Sequence, residues 1–538
     1  MNTGVDAQMK VSPASLNFGE HLPNSQGELS FYIANRGNSK FKIKHLRPAS
    51  SAFVLDDTTV SIAPEDSYRV AVAFAPGRAG PFDSELRIVN NPSEDSVATV
   101  ELLGWVPVEI NQLLTPATFS KKISFAVATP REVLLHLTAN SNTNWAIPDT
   151  DSAVLTVFVD ENYQRQNQDV VLFGGEKMFD YKLSLGRLEA GDHTLEFYFD
   201  DKKSAPGAKL VYVAQCAIIP VTRLGDEYDV FRYSPILFGR DLFRAHENNA
   251  TDTPILLYHE IFHAGLNKWI QYTMIWSNED QGTNAVDLMS RWGRTTDIEW
   301  IYRVELDARG NLLDDYFQGE DHETLPFIGS RVADHPVLKT ITYNNMVHDL
   351  GTSDLKFFLS PERSKAKNSA RETVMDENPW TYEIMTKEMI KENQYEFPGN
   401  PLNKALSLSL NYLYLEFFTL VSGDSLRLTF GLRLTDDKNW YYSDHGDRSV
   451  AAVNRGGWRR SSIELPAETT LTRLDSLQIL ASGTKDFSIM VGHVSKIFML
   501  DGDFELRQFP LLWPYSVQLN RTHRKAVFSF DTLRHQTN

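Results

Sequence analysis

Cysteine is nearly absent from the sequence: Cys216 is the only one among 538 residues. A single cysteine excludes an intramolecular disulfide framework and any zinc site made of cysteines. Cys216 lies in the apolar run LVYVAQCAIIPV, so we expect a buried, inert thiol and not a nucleophile. Long apolar runs are also absent, and no stretch approaches the ~18 residues that a membrane-spanning helix needs.

The first twenty residues, MNTGVDAQMKVSPASLNFGE, lack a basic segment followed by an apolar one. That absence predicts that the chain carries no signal peptide. We therefore expect a cytoplasmic location, or export by a route that needs no signal peptide.

Positive charge is also in short supply. Lys and Arg number 53 against 70 Asp and Glu, which gives a formal net charge of -17 and a pI near 5.3. No basic excess is left to neutralise phosphates, so nucleic acid is not expected as a partner. Glycine-rich phosphate loops of the Walker or dinucleotide type are missing, as is a G-x-S-x-G nucleophile elbow.

What the sequence does contain is a series of short apolar and aromatic runs separated by Gly, Pro, Asn and Asp. Aromatic residues make up 11% of the chain, and alternation of apolar with polar residues recurs, as at Phe31 and Ile33. This pattern is typical of β-sandwiches, and the chain is too long for one core. We predict a mostly β, multi-domain chain: an immunoglobulin-like β-sandwich at 1–106, an accessory β-sandwich at 107–222 and a larger β-sandwich region at 223–538.

A helical and mobile insertion is expected around residues 361–397. After Pro379, the residues Tyr382, Met385 and Met389 follow helical spacing. The preceding stretch ERSKAKNSARET is polar and mixes both charges, which predicts a mobile loop or linker.

The N-terminal region resembles the Hydin-type immunoglobulin-like domains. The resemblance rests on VSPASLNFGEHLPN near the start, on the turns NRGNSKFKI and VAFAPGRAGPF, and on the closing strand LLGWV. It covers about 95 residues. It implies a structural or adhesive module with no catalytic residues.

A formal HExxH string occurs at His259, Glu260 and His263. On a helix, the two histidines would lie on one face and could share a zinc ion, with Glu260 as general base on the bound water. A helix here would have to continue through Gly265 and Asn267, which break or end helices.

The sequence around this string favours a β-hairpin. The following segment WIQYTMIW is aromatic and β-branched with two-residue alternation, which indicates a strand. ILLYHEIF has the same length and can pair with it across a turn at 264–268. Residues four apart on a strand lie about 13 Å apart and cannot share one zinc ion. We favour the hairpin and keep the zinc site as the alternative.

A carboxylate pair, Asp297 and Glu299, begins the segment DIEWIYRVEL. Two-residue alternation predicts that these carboxylates share a face with Arg303 and Glu305. The opposite face is predicted to hold the apolar residues Ile298, Trp300, Tyr302, Val304 and Leu306. Asp280, in the preceding loop SNEDQGTN, can approach the pair if the strands are adjacent. Three carboxylates at a strand end suit calcium or magnesium, whereas a solvated sheet face explains the same charges without a metal.

A second resemblance covers roughly residues 230–350. The order of YSPILFGRD, IQYTMIW, the Asp-x-Glu strand start, a glycine turn, His335-Pro336 and His348 is similar to vacuolar-protein-sorting-associated sandwich proteins and necrosis-inducing-like toxins. In the toxins the residues matching Asp280, Asp297 and Glu299 help to hold a divalent cation at a surface that binds a lipid-linked glycan. This sequence departs from the pattern, because Arg294 stands where a metal-binding histidine is expected and Ile298 replaces a tryptophan.

An aromatic loop, TDDKNWYYSDHGDRS, places Trp440, Tyr441 and Tyr442 beside Asp444. Aromatic platforms with acidic neighbours suit sugar binding, and an ordinary loop between sandwich strands explains the same residues.

Together these patterns predict a non-enzymatic binding or effector protein. We expect it to recognise a surface ligand (a glycan, a glycolipid or a protein surface), with calcium or magnesium at Asp280, Asp297 and Glu299. One alternative is a zinc metallohydrolase that uses His259, His263 and Glu260. A structural assembly component is the other.

Overall fold

The computed structural model describes residues 8–43, 46–55, 59–91, 97–241, 252–279, 283–365, 367–484 and 486–534. Strands dominate these ranges and form eight sheets, so the prediction of a mostly β fold is confirmed. Within the same ranges no helix is long and apolar enough to cross a membrane.

The first two sheets form an immunoglobulin-like sandwich. Their strand orders are β1-β3-β7-β5 and β2-β9-β8-β4-β6. The apolar residues of the alternating runs, Phe31, Ile33, Val72 and Phe74 among them, are fully buried between the sheets. The strands are β1 (Met9–Ser12), β2 (Ser15–Glu20), β3 (Gly27–Asn35), β4 (Phe41–Ile43), β5 (Phe53–Val54), β6 (Val60–Ile62), β7 (Ser67–Phe74), β8 (Gly80–Asn91) and β9 (Val97–Val106).

The next two sheets have the orders β10-β17-β12-β15 and β11-β16-β13-β14. Cys216 lies fully buried on one of these strands, and burial raises the pKa of its thiol to about 12. The expected burial of this thiol is therefore confirmed. The strands are β10 (Val108–Leu114), β11 (Ile123–Val127), β12 (Arg131–Ser141), β13 (Val154–Val159), β14 (Gln168–Val171), β15 (Phe179–Leu188), β16 (Gly191–Phe199) and β17 (Val211–Pro220).

The third pair of sheets carries most of the helices. A six-stranded sheet, β23-β22-β21-β20-β19-β28, accompanies a smaller sheet of order β24-β25-β18-β27, with β26 beside β25. The elements are α1 (Gly225–Arg232), β18 (Ile236–Phe238), β19 (Pro254–Ala264), β20 (Asn267–Trp276), α2 (Ala285–Trp292), β21 (Asp297–Leu306), β22 (Leu312–Gln318), β23 (Thr324–Pro326), β24 (Arg331–Val332), β25 (His335–Thr340), β26 (Val347–His348), β27 (Lys356–Phe357), β28 (Glu362–Arg363), α3 (Thr373–Glu377) and α4 (Trp380–Lys391).

The last two sheets have the orders β32-β29-β34-β35, with β36 beside β34, and β31-β30-β33-β37. They enclose an apolar core of their own, so the region 223–538 contains two sheet pairs. The elements are β29 (Tyr412–Ser422), β30 (Arg427–Leu434), β31 (Trp440–Tyr442), β32 (Gly457–Glu464), β33 (Leu474–Ser482), β34 (Ser488–Leu500), β35 (Leu506–Gln508), β36 (Val517–Asn520), β37 (Lys525–Ser529) and α5 (Phe530–Leu533). Short 3₁₀ helices span Glu320–His322, Ser409–Asn411 and Leu471–Arg473.

The largest apolar core is shared between modules. It runs from the second sheet pair through the third and reaches Tyr412 and Phe498 in the fourth. The N-terminal sandwich keeps a separate core. The second and third sheet pairs are therefore packed as one body.

The helical insertion is present, but the polar stretch before it is not a free linker. Helix α4 begins at Trp380, directly after Pro379, and buries Tyr382, Met385 and Met389 as expected. The stretch ERSKAKNSARET contributes strand β28 and the buried residue Glu372, which is 2% exposed. Glu362 and Arg371 also pair with other parts of the fold, so these residues are packed, and the mobility of the stretch stays a prediction.

Candidate functional site

The HExxH string lies on a strand. Strands β19 and β20 pair antiparallel with Ala264 opposite Asn267, so Gly265 and Leu266 form a two-residue turn. Gly265 has φ +65°, a left-handed conformation that glycine adopts without strain. The hairpin prediction is confirmed, and the helix that the zinc alternative requires is absent.

The residues of the string have separate environments. His259 is 7% exposed beside the backbone of β28, and burial lowers its pKa to about 4. The exposed ring of His263 instead approaches Asp226, with Nε2 to Oδ2 at 3.8 Å. Glu260 accepts a hydrogen bond from Gln271 at 3.4 Å. Two histidines so far apart on a strand cannot share one ion, so the zinc site at His259, His263 and Glu260 is wrong.

A β-bulge interrupts the acidic strand. The register between β20 and β21 shifts between Trp300 and Tyr302, which leaves Ile301 as an extra residue. A bulge moves the alternation of side chains by one position. The guanidinium of Arg303 accordingly lies 4.7 Å from the centre of the Trp300 ring, so these two side chains share a face. The expectation that Trp300 lies on the same face as Tyr302 is wrong.

The bulge also separates the acidic pair from Arg303 and Glu305, with which simple alternation grouped it. Asp297, Glu299 and Ile301 alternate on one face of the strand. Asp297 is 4% exposed, and the side chain of Glu299 is also largely buried. These carboxylates are therefore directed into the fold and do not form a solvated sheet face.

Three carboxylates influence one another at this place. Burial raises the pKa of Asp297 well above its usual range, and the charges of Glu299 and Glu279 raise it further. Burial also raises the pKa of Glu279. Nδ2 of Asn345 donates to Oδ2 of Asp297 at 3.2 Å. The energy cost of ionising Asp297 is thus largely a consequence of burial.

Three nitrogen partners of Glu299 lie in the described part of the chain. Nε2 of Gln318 donates to its Oε2 at 3.2 Å. A guanidinium nitrogen of Arg371 lies 3.6 Å from its Oε1, and Nδ1 of His322 lies 3.9 Å from its Oε2. Asp280, the remaining expected metal ligand, lies outside the described residues. Among the described residues no group of three or more His, Cys, Asp or Glu is arranged to hold a metal ion. The calcium or magnesium site stays a prediction.

Arg294 and Arg371 balance part of this negative charge. Arg294 is 2% exposed, and its Nε donates to Oε1 of Glu372 at 3.2 Å. Arg371 lies between Glu299 and Glu372, at 3.6 Å and 3.7 Å. Burial raises the pKa of Glu372, but Arg294, Arg371 and Arg460 outweigh that effect and hold the pKa below its usual range. Because Arg294 stands where the resemblance predicts a histidine, this part of the structure carries both positive and negative charges.

These groups line one cleft with a volume of about 890 Å³. It lies where the third sheet pair meets strand β32 of the fourth. Its lining comprises Glu279, Thr283, Leu288, Arg291, Trp292, Arg294, Asp297, Glu299, Trp300, Gln318, Asp321, His322, Asn344, Ser369, Arg371, Glu372, Arg455, Trp458 and Arg459. The sequence identified only Asp297 and Glu299 as ligands, because most of the others come from distant segments.

The aromatic loop lies outside this cleft. Its residues 440–442 form strand β31, so neighbouring aromatic side chains point to opposite faces. Tyr441 is 3% exposed, packs into the core of the last sandwich, and donates to Oδ2 of Asp437 at 2.5 Å. Its ring therefore offers no platform. The guanidinium of Arg433 lies 5.5 Å from the centre of the Trp440 ring.

Tyr442 and Asp444 line a second cavity, of about 390 Å³. Asp444 accepts hydrogen bonds from Arg427 at 3.1 Å and from Thr429 at 3.0 Å. This cavity shares no lining residue with the larger cleft. Sugar binding at Trp440, Tyr442 and Asp444 stays a prediction.

Comparison with known proteins identifies the first module. A family model for the HYDIN/CFA65/VesB-like, Ig-like domain matches residues 7–102. The resemblance to Hydin-type domains is therefore confirmed for this part of the chain. No curated protein matches the sequence.

Several solved structures are similar to parts of the chain at low identity. The ASH/PapD-like domain 7 of human CEP192 is 16% identical, with a TM-score of 0.17, over 18% of this chain and 84% of that one. The secreted serine protease VesC from Vibrio cholerae is 11% identical, with a TM-score of 0.18, over 38% of this chain and 49% of that one. The VesB protease from Vibrio cholerae is 16% identical, with a TM-score of 0.15, over 18% and 31%. Scores this low carry no conclusion about activity.

Proposed function

We propose that the chain is a non-enzymatic binding protein whose 890 Å³ cleft takes a glycan, free or carried on a lipid. The observation that supports this most directly is the lining of the cleft, in which three indole rings (Trp292, Trp300 and Trp458) accompany carboxylates and guanidiniums. Indole faces pack against the C–H faces of sugar rings, while ionised side chains form strong hydrogen bonds with hydroxyl groups.

The size of the cleft supports the same proposal. Pockets for small ligands usually have volumes of about 300–1,000 Å³, so this cleft has room for a short oligosaccharide. The carboxylate of Glu299 supplies an acceptor for hydroxyls, and the guanidiniums that line the cleft supply donors.

The direct experiment is a glycan-array screen followed by calorimetry on the best oligosaccharide. Trp300→Ala is expected to weaken binding of the oligosaccharide at least about tenfold, because removing an aromatic side chain that anchors a ligand costs about 2 kcal/mol or more. Trp440→Ala, in the aromatic loop outside the cleft, separates the two predicted sugar sites: it should leave the affinity unchanged if the cleft binds the glycan. Both variants need an unaltered unfolding midpoint. If no glycan binds, or if Trp440→Ala is the weaker variant, the proposal is wrong.

The divalent cation is a separate part of the proposal. Calcium or magnesium at Asp280, Asp297 and Glu299 would bridge sugar hydroxyls through oxygen ligands. Calcium titration followed by thermal unfolding tests this part. If calcium stabilises the unchanged protein but not Asp297→Ala, the ion is supported. If calcium does not stabilise the unchanged protein, the ion is removed from the proposal.

A further inference from the structure

Three arginines from two segments lie near one another in the lining of the cleft: Arg291, Arg455 and Arg459. Arg291 lies in the last turn of α2, Arg455 precedes β32, and Arg459 lies on β32. Their meeting depends on how the end of α2 is fixed against β32.

Strand β32 fixes that helix end through its serines. The hydroxyl of Ser461 donates to the carbonyl of Ser290 at 2.6 Å, and that of Ser462 donates to the carbonyl of Met289 at 2.8 Å. Gly293 ends the helix with φ +65°, and a Cβ there would lie only 3.2 Å from the Tyr414 ring. The helix end therefore approaches β32 closely, and the arginine positions are set by ordered backbone.

The three arginines differ from their neighbours in having no carboxylate ion pair among the described residues. Arg294 pairs with Glu372, whereas Arg459 donates to the backbone carbonyl of Trp458 at 2.8 Å. Arg291 donates to the amide oxygen of Asn454 at 3.3 Å.

Mutual repulsion affects this group. Burial lowers the pKa of Arg291, and the charges of Arg455 and Arg459 lower it further. Asp287 attracts Arg291, but both its oxygens are occupied: Oδ1 by the backbone N–H of Ala451 at 2.6 Å and Oδ2 by the amide of Asn284 at 2.8 Å. Positive charge is thus concentrated locally in a chain whose formal net charge is -17.

We propose that the glycan bound in this cleft is anionic, and that Arg291, Arg455 and Arg459 hold its sulfate or carboxylate group. This inference rests on the proposed function and names the class of sugar. Guanidiniums match the planar oxygen pairs of such groups and bind them by charge-assisted hydrogen bonds. Glu299, which also lines the cleft, repels a second anion and so favours sugars with hydroxyls beside it.

The test measures calorimetric binding of three oligosaccharides of equal length: one neutral, one carboxylated (an oligogalacturonide) and one that is sulfated but has no carboxylates (a carrageenan oligosaccharide). Inorganic sulfate alone is a fourth probe. The double variant Arg455→Gln/Arg459→Gln is compared with Arg309→Gln, an exposed arginine in the turn after β21.

An anionic sugar should bind the unchanged protein at least about tenfold more tightly than the neutral one. The double variant should lose roughly 100-fold or more of that affinity, as expected for two charge-assisted hydrogen bonds of at least about tenfold each, while Arg309→Gln should lose none. Whichever of the two charged sugars binds more tightly identifies the anionic group.

The other outcomes separate the two proposals. Binding of the neutral sugar at equal or greater strength, unchanged in the double variant, overturns the anionic ligand and leaves glycan binding standing. If inorganic sulfate binds and none of the three oligosaccharides does, glycan binding is overturned and an anion site remains. Absence of binding by all four probes overturns both.

Discussion

The guanidinium of Arg131 lies 3.0 Å from the carboxylate of Glu101, across the junction between the first and second sheet pairs. It also lies 3.1 Å from Asp83 and donates to the carbonyl of Val221 at 3.0 Å. The Arg131 side chain is fully buried, and both acids are almost fully buried. Buried charges persist only when they are paired, so this group ties the N-terminal sandwich to its neighbour.

Removing that arginine should strongly destabilise the protein. Arg131→Met leaves two acids buried without their main partner, and we expect a loss of about 3–5 kcal/mol in the free energy of unfolding. Urea unfolding measures it. The control is Arg69→Met, whose pair with Glu28 is more than half exposed and should contribute less than about 1 kcal/mol. Equal effects of the two variants would contradict this account.

His259 should make the protein less stable in acid. Its folded-state pKa is about 4 against an ordinary 6.5, so below pH 6.5 the unfolded state binds a proton that the folded state does not. Stability should therefore fall by about 3 kcal/mol as the pH drops from 6.5 to 4. His259→Gln should reduce that slope in urea unfolding, whereas His263→Gln, at an exposed ring, should leave it unchanged.

Glu464 should have the opposite pH dependence. Burial raises its folded-state pKa to about 7 from 4.5, so between these values the folded state keeps a proton that the unfolded state releases. Its contribution to stability is lost as the pH rises from 4.5 to 7, by about 3 kcal/mol. Glu464→Gln should remove this loss. Glu468→Gln, on an exposed residue, is the control, and identical pH profiles for both variants would refute the assignment.

Asp297→Asn should stabilise the protein at neutral pH in the presence of a chelator. The raised pKa of Asp297 means that ionisation opposes folding above its ordinary pKa, and the amide removes that charge. We expect a gain of about 1 kcal/mol, usual for a relieved unfavourable charge, that vanishes toward acidic pH. Thermal unfolding measures it, with exposed Asp314→Asn as the control. A net loss of stability in Asp297→Asn would show that the charged form is needed.

Sequence patterns identified the features that depend on local chemistry. Alternation and the turn at Gly265 predicted the hairpin, since both follow from strand periodicity and the left-handed conformation of one residue. Pro379 and helical spacing predicted α4, because the fixed φ of proline suits the start of a helix and the spacing is also a local property.

Features that depend on distant contacts were not predictable. Nothing in DIEWIYRVEL marks Ile301 as a bulge, since the extra residue is set by the register with β20. The polarity of the segment that contains Arg371 indicated a loop, because its partner Glu299 is far away in sequence. Arg459 likewise reaches the cleft only through the packing of β32 against α2.

The separate core of the N-terminal sandwich has a consequence for how such chains can be recombined. A module whose apolar interior closes on itself can be transferred to another protein if its junction residues, Arg131 and its partners, are matched. The interior shared by the second and third sheet pairs has no such dividing plane. A cut near residue 222 would expose apolar surface on both fragments, so these two pairs are expected to be inherited, expressed and unfolded as a single piece.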